Sequence, residues 1–226
     1  MVSVEIISEE DDLVNVLFKD ADRALLNAVR RNLMAHVPKM AIDSVRFQMG
    51  TYDQCVKCEH LNPAGVARRS TGGTGCSKCD APFEKEGEDY VVWETNSAIP
   101  DEMIAQRMAM IPIPTDTGTY SFEEECPDCK DLVEEDRGCP TCNMIYTLRA
   151  FGSKEGSTVT AGDLVFLGDD SGSIPEKYRS IPITRLYEGQ MMEFWATAKM
   201  GYGKDHAKWS PVSGVSFFPR QIGVIN

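Results

Sequence analysis

No apolar run in this chain approaches the roughly 20 residues that a membrane-spanning helix needs. The alternation of Val2, Val4 and Ile6 with polar residues is also unlike a secretory signal, so a cytosolic or nuclear protein is expected. Basic charge is short: 23 Lys and Arg against 35 Asp and Glu leave a formal charge of −12. That balance argues against a surface that grips nucleic acid along its whole extent, although a local basic patch stays open. Histidine is scarce, and His36, His60 and His206 have no motif around them, so the sequence offers no nucleophile with an oriented base. Cysteine never occurs alone. All eight fall in CxxC pairs: Cys55 with Cys58, Cys76 with Cys79, Cys126 with Cys129, and Cys139 with Cys142. The remaining composition is ordinary for a globular protein, and 226 residues suffice for one or two domains.

The four knuckles form two sets. The first has the spacing C-x2-C-x17-C-x2-C, in a stretch from Gly50 to Glu88 that is rich in Gly, Ser, Thr and Lys and poor in large apolar residues. Such a stretch cannot build a core of its own and needs a staple, which two knuckles supply by directing four thiolates at one tetrahedral Zn²⁺. A pair of disulfides or four unrelated thiols are the alternatives, and His60 is a candidate replacement ligand. Arg68 and Arg69, between these knuckles, are candidates for contact with phosphate or an acidic partner, or else belong to a solvated loop. The second set, C-x2-C-x9-C-x2-C, carries Pro127 and Pro140 inside its knuckles and Gly138 beside one of them. A closed four-Cys shell leaves no position for substrate, so a structural metal is expected, with rubredoxin-like iron as the minor alternative.

Periodicity organises the rest. Ala21 to Pro38 reads as an amphipathic helix with Ala21, Ala24, Leu25, Ala28, Val29 and Leu33 on one side, Asp20 as cap, Asp22 in the first turn, and the adjacent pair Arg30 and Arg31. By itself this pattern leaves two destinations for the apolar stripe: the chain's own sheet, with solvated arginines, or a partner. Before the helix, Ser3 to Ile7 and Leu13 to Phe18 predict a hairpin, and after it Met40 to Met49 predicts a strand. A second helix is expected to begin near Pro100, with Met103, Ile104, Met108 and Ile111 as its apolar side, and to stop before Pro112 and Pro114. Strands are expected at Tyr90 to Trp93, Met144 to Phe151 and Leu164 to Leu167. Ile181 to Leu186 and Met192 to Ala198 predict a hairpin around Glu188 and Gly189, and Val215 to Phe218 predicts a last strand. The class is α+β.

Five blocks in order carry a family resemblance: LLNAVRRNLMAHVPKMAIDSVRF, NSAIPDEMIAQRMAMIPIPTD, the cysteine run from Cys126 to Cys142, VTAGDL, and GYGKDHAKWSPV. Together they resemble the D subunit of archaeal DNA-directed RNA polymerase, its eukaryotic third-subunit counterpart and, more distantly, the amino-terminal domain of the bacterial α-subunit. The resemblance implies an alpha-subunit-like dimerisation domain, residues 1–49 and 209–226, interrupted by a β-rich insert domain, residues 89–208, that holds the second four-Cys zinc loop. Residues 50–88 fall outside the family pattern and are expected to form an additional zinc-ribbon-like insertion. The family pattern also continues beyond this sequence into a strand and a long helix, so the dimerisation domain is expected to lack its C-terminal helix. No cysteines remain for the iron–sulfur domain of many archaeal members, so no iron–sulfur cluster is expected.

The resemblance implies an assembly subunit that is not itself an enzyme. It would heterodimerise with an L-like small subunit and present a platform to the large catalytic subunits and other small assembly subunits, with little direct DNA contact. The partner face implied is Ala24, Leu25, Ala28 and Leu33 with Arg30 and Arg31, and the cofactor is Zn²⁺ at two sites. The location implied is cytoplasmic for an archaeal-like protein, or nuclear for a eukaryotic one. The alternative is that the ribbon makes the chain a nucleic-acid- or transcription-factor-binding module.

Overall fold

A computed structural model describes residues 2–64, 75–133 and 137–220, the side chain of Asp170 excepted. Arg68 and Arg69 lie outside the described residues. The chain divides into two compact units, one drawn from the segments before residue 40 and after residue 200, the other running from Met40 to Met200.

In the first unit, β1 (Ser3–Glu10) and β2 (Leu13–Lys19) pair antiparallel as a two-stranded sheet, with a register shift between Ile6 and Ser8. Val4 faces Phe18 and Ile6 faces Val16, so four apolar side chains share a face. That face is nonetheless open, with Val4 59% and Ile6 61% exposed. Helix α1 (Arg23–Ala35) is capped by Asp22, whose Oδ1 accepts from Leu25 N–H at 2.6 Å. Asp20, the expected cap, instead turns the chain with a φ of 58°. The GYGKDHAKW segment belongs to this unit: Lys204 N–H donates to Ala35 O at 3.1 Å, next to the helix's last turn. Val215 to Phe218 forms no strand, and Phe218 projects into solvent.

The second unit is built on a four-stranded sheet in the order β3 (Pro38–Phe47), β11 (Met191–Tyr202), β7 (Asn143–Phe151), β9 (Val165–Phe166). Period-two alternation decides which face is covered. Met192, Phe194, Ala196 and Ala198 on β11, with Met144, Tyr146 and Leu148 on β7, are buried on one side. Helix α2 (Asp101–Ala109) covers that side with Ile104 and Met108, and Ile183 of β10 (Pro182–Leu186) and Val159 of β8 (Ser157–Thr160) complete the layer. Met103, expected on the apolar side of this helix, is 49% exposed, because the buried stripe runs through Ile104 and Met108 instead. Arg107 ties the helix to β10 by donating from Nη1 to Ile183 O at 2.8 Å.

The expected hairpin around Glu188 and Gly189 does not form. β10 pairs antiparallel with β8, and β11 pairs with β7 over nine residues from Met191↔Phe151 to Lys199↔Asn143. Ile183, Thr184 and Leu186 are all buried, so β10 lies inside the layer facing the sheet, and the Gly189 turn, φ 79°, carries the chain from one sheet to the other.

A three-stranded sheet, order β5 (Leu61–Pro63), β4 (Thr51–Cys55), β6 (Tyr90–Glu94), stands on the second unit as a ribbon. Its base is clasped: Gly50 N–H donates to Thr95 Oγ1 at 2.8 Å, and Thr95 N–H to Gly50 O at 3.1 Å. Glu94 N–H reaches Gly189 O at 2.8 Å, and the rings of Trp93 and Phe151 lie 4.8 Å apart, so the ribbon is seated against the four-stranded sheet. Its third strand lies beyond residue 88, and β3 shares a sheet with β11. The ribbon's two ends thus meet at Gly50 and Thr95, and the two compact units divide near residues 40 and 200.

Candidate metal centres and partner face

Each cysteine set converges. The Sγ atoms of Cys55, Cys58, Cys76 and Cys79 lie within 4.8 Å of one another, and so do those of Cys126, Cys129, Cys139 and Cys142. All eight thiols are free. In the first group Cys55 and Cys79 are 3.7 Å apart and Cys58 and Cys76 3.6 Å; in the second, Cys126–Cys139, Cys129–Cys142 and Cys139–Cys142 span 3.4, 3.7 and 3.5 Å. These separations far exceed a disulfide of about 2.05 Å. They are close to the edge of a thiolate tetrahedron around zinc, about 3.8 Å for a Zn–S bond of about 2.3 Å. The donor set thus fits a tetrahedral thiophilic ion in both places.

Local backbone builds these sites. In the first knuckle Cys55 O accepts from Glu59 N–H at 2.8 Å, and in its counterpart Cys76 O accepts from Asp80 N–H at 3.0 Å. Glu59 and Asp80 both adopt left-handed backbone, φ 56° and 54°, each directly after the second cysteine of its knuckle. The second group repeats the inward carbonyl: Cys126 O accepts from Lys130 N–H and Cys139 O from Asn143 N–H, both at 2.9 Å. Among the described residues the core around the first group is the thiols, Phe83, Ala81 and Tyr90, the two rings lying 5.1 Å apart, a small core that an ion would staple. His60 supplies this group with its carbonyl, which accepts from Cys55 N–H, and its ring is not among the converging ligands.

The thiols within a group are not equivalent. At Cys58 a backbone hydrogen bond at His60 favours the thiolate, but burial and the three neighbouring cysteines prevail and push it up to about 12. Burial disfavours the Cys76 thiolate, yet the amides of Lys78 and Cys79 and the side chains of Asn62 and Cys58 outweigh it, bringing it down to about 6. At Cys139 burial is likewise outweighed, by Cys126 and the Thr141 amide first, and the thiol falls to about 6. Burial raises Cys142.

Helix α1 buries none of its residues. Leu26, Val29 and Arg30 are half-covered, while Ala24, Leu25, Ala28, Arg31 and Leu33 are exposed, Leu25 at 41% and Leu33 at 37%. The expected stripe is therefore split: Val29 turns inward, and the face bearing Ala24, Leu25, Ala28 and Leu33 is open. Arg30 is held along the helix, donating from Nε and Nη2 to Asn27 Oδ1 at 3.3 and 3.1 Å, whereas Arg31 is exposed. A polar cleft lies in the second unit beside the second cysteine group. Asp43, Arg46, Glu123, Arg137, Asn143 and Lys199 are among its lining residues; Lys199 pairs with Asp43 at 2.9 Å, and neither histidine nor cysteine lines it.

Fold and sites together define an α+β chain that carries two four-thiol groups fit for a tetrahedral ion and an amphipathic helix with no buried residue. Residues 92–214 match the family described as the RNA polymerase Rpb3/RpoA insert domain, and the chain belongs to that family. It is 30% identical to the DNA-directed RNA polymerase subunit Rpo3 of Archaeoglobus fulgidus, over 94% of this chain and 59% of that protein. It is 28% identical to Rpo3 of Picrophilus torridus, over 95% and 62%, and 25% identical to subunit 3B of RNA polymerases IV and V of Arabidopsis thaliana, over 99% and 59%. The chain thus spans 59–62% of the length of these curated relatives. No helix among the described residues is long and apolar enough to cross a membrane.

Proposed function

We propose that this chain is a non-catalytic assembly subunit of a multisubunit DNA-dependent RNA polymerase. It heterodimerises with an L-like small subunit through α1 and presents a platform to the large catalytic subunits and the other small subunits. The observation that carries this reading is the helix itself, which is capped at Asp22 and leaves Ala24, Leu25, Ala28 and Leu33 in solvent, in a chain whose residues 92–214 match the polymerase insert-domain family. Alanines at 24 and 28 let a second helix come close, and Leu25 and Leu33 supply apolar area at about 25 cal/mol per Å² covered. Arg31, exposed to solvent, suits bidentate pairing with a carboxylate of a larger subunit, and Arg30 borders the same face. The first unit is the dimerisation part and the second the insert domain with its ribbon, each four-thiol group holding one Zn²⁺ as a staple. The protein would work in the cytoplasm of an archaeal-like cell or in a eukaryotic nucleus.

Co-expression with an L-type small subunit tests this. A one-to-one complex is expected from size-exclusion chromatography with light scattering, and Leu25→Asp with Leu33→Asp should abolish it while leaving two metals per chain. A chain that stays monomeric with every polymerase subunit offered would overturn the reading.

A further inference from the structure

Four thiols do not explain how the two knuckles of the first group are held in register. Asn62, on β5, is only 1% exposed, and both ends of its amide are engaged. Oδ1 accepts from Ser77 N–H at 2.9 Å and from Ser77 Oγ at 2.7 Å. Nδ2 lies 3.1 Å from His60 O, 3.2 Å from Asp53 O and 3.7 Å from Cys76 Sγ. His60 closes the first knuckle, while Cys76 and Ser77 open the second, so one buried amide ties the two together across a gap in sequence. The second group offers a contrast. Asn143 follows Cys142 directly, but its buried Oδ1 accepts no hydrogen bond among the described residues.

We infer that Asn62 is the positioning residue of the first metal site: it sets the two knuckles at ligand distance before an ion arrives, and its N–H on the Cys76 sulfur stabilises the bound thiolate. The inference rests on the reading of the first group as a metal site. Partners outside the ligand shell orient the ligands and typically govern metal affinity by ~10–100-fold. The first site is thus partly built by a side chain that no cysteine pattern reveals.

The test uses the full chain loaded with Zn²⁺, challenged with increasing chelator, each cysteine's release being read by alkylation and mass spectrometry. With Asn62→Ala or Asn62→Asp, Cys55, Cys58, Cys76 and Cys79 should become reactive at ~10–100-fold lower chelator concentration, and the second group should be unmoved. Asn62→Asp retains an acceptor for Ser77 but places an acceptor beside the sulfur. In the Co²⁺-loaded chain it should therefore move the thiolate-to-cobalt charge-transfer band to lower energy. An unchanged release profile and band in Asn62→Asp would overturn the inference, as would a shift of all eight cysteines together, which marks general unfolding. A different result, alkylation of the first four cysteines in the unvaried chain without chelator, would overturn the metal reading beneath it.

Discussion

A Cβ built on Gly203 would run into the Met34 carbonyl oxygen, and the next amide, Lys204 N–H, donates to Ala35 O at 3.1 Å. Backbone therefore lies on backbone where the GYGK loop meets the last turn of α1. A carbonyl cannot swing aside as a side chain can, so Gly203→Ala should destabilise the first unit by about 1–3 kcal/mol in denaturant titration. Gly201 is tight for a different reason, since its Cβ would meet the Trp209 indole, a side chain that has room to tilt only if its packing loosens. Both glycines act as spacers. Asn62 marks a limit of sequence reading. Cysteine spacing announces both four-thiol groups because ligand chemistry admits few residue types. An asparagine between two knuckles has no such restriction, and its role depends on what the fold puts beside it.

Among the elements, those governed by a local period were readable and those governed by competition between partners were not. β11 alternates so strictly from Met192 to Ala198 that its buried face follows from the residues alone, and helix α2 announces itself by Pro100, Asp101 and Glu102 at its start. The β10–β11 hairpin failed because two adjacent strands and a Gly turn are a local argument, whereas β8 and β7 offer more burial to Ile183 and Phe194. The stripe of α1 divided because periodicity marks an apolar side without saying how much of it the chain itself covers. Metal removal discriminates between elements in the same way. Among the described residues the ribbon's core is the thiols, Ala81 and two rings, while β7 and β11 are buried against α2. Chelation is expected to collapse hydrogen-exchange protection in β4, β5 and β6 and to leave it high in β7 and β11. Acid should do the same as thiolates protonate, since ligation requires the deprotonated form.

Across the whole molecule the ribbon is a guest whose two ends meet. Gly50 and Thr95 exchange hydrogen bonds at its base, and chain segments whose ends lie together are the ones that can be inserted or removed with least disturbance. A splice that replaces residues 51–94 with a short Gly–Ser link should fold, bind one metal instead of two by elemental analysis, and retain heterodimer formation. Its stability should fall by roughly the 0.5–1.5 kcal/mol of a lost aromatic pair, because Phe151 would no longer have Trp93 against it. Joining at this doorway shifts no strand register in the host sheet, so a lineage can gain or discard the whole ribbon in one genetic step, leaving the rest of the chain unaltered.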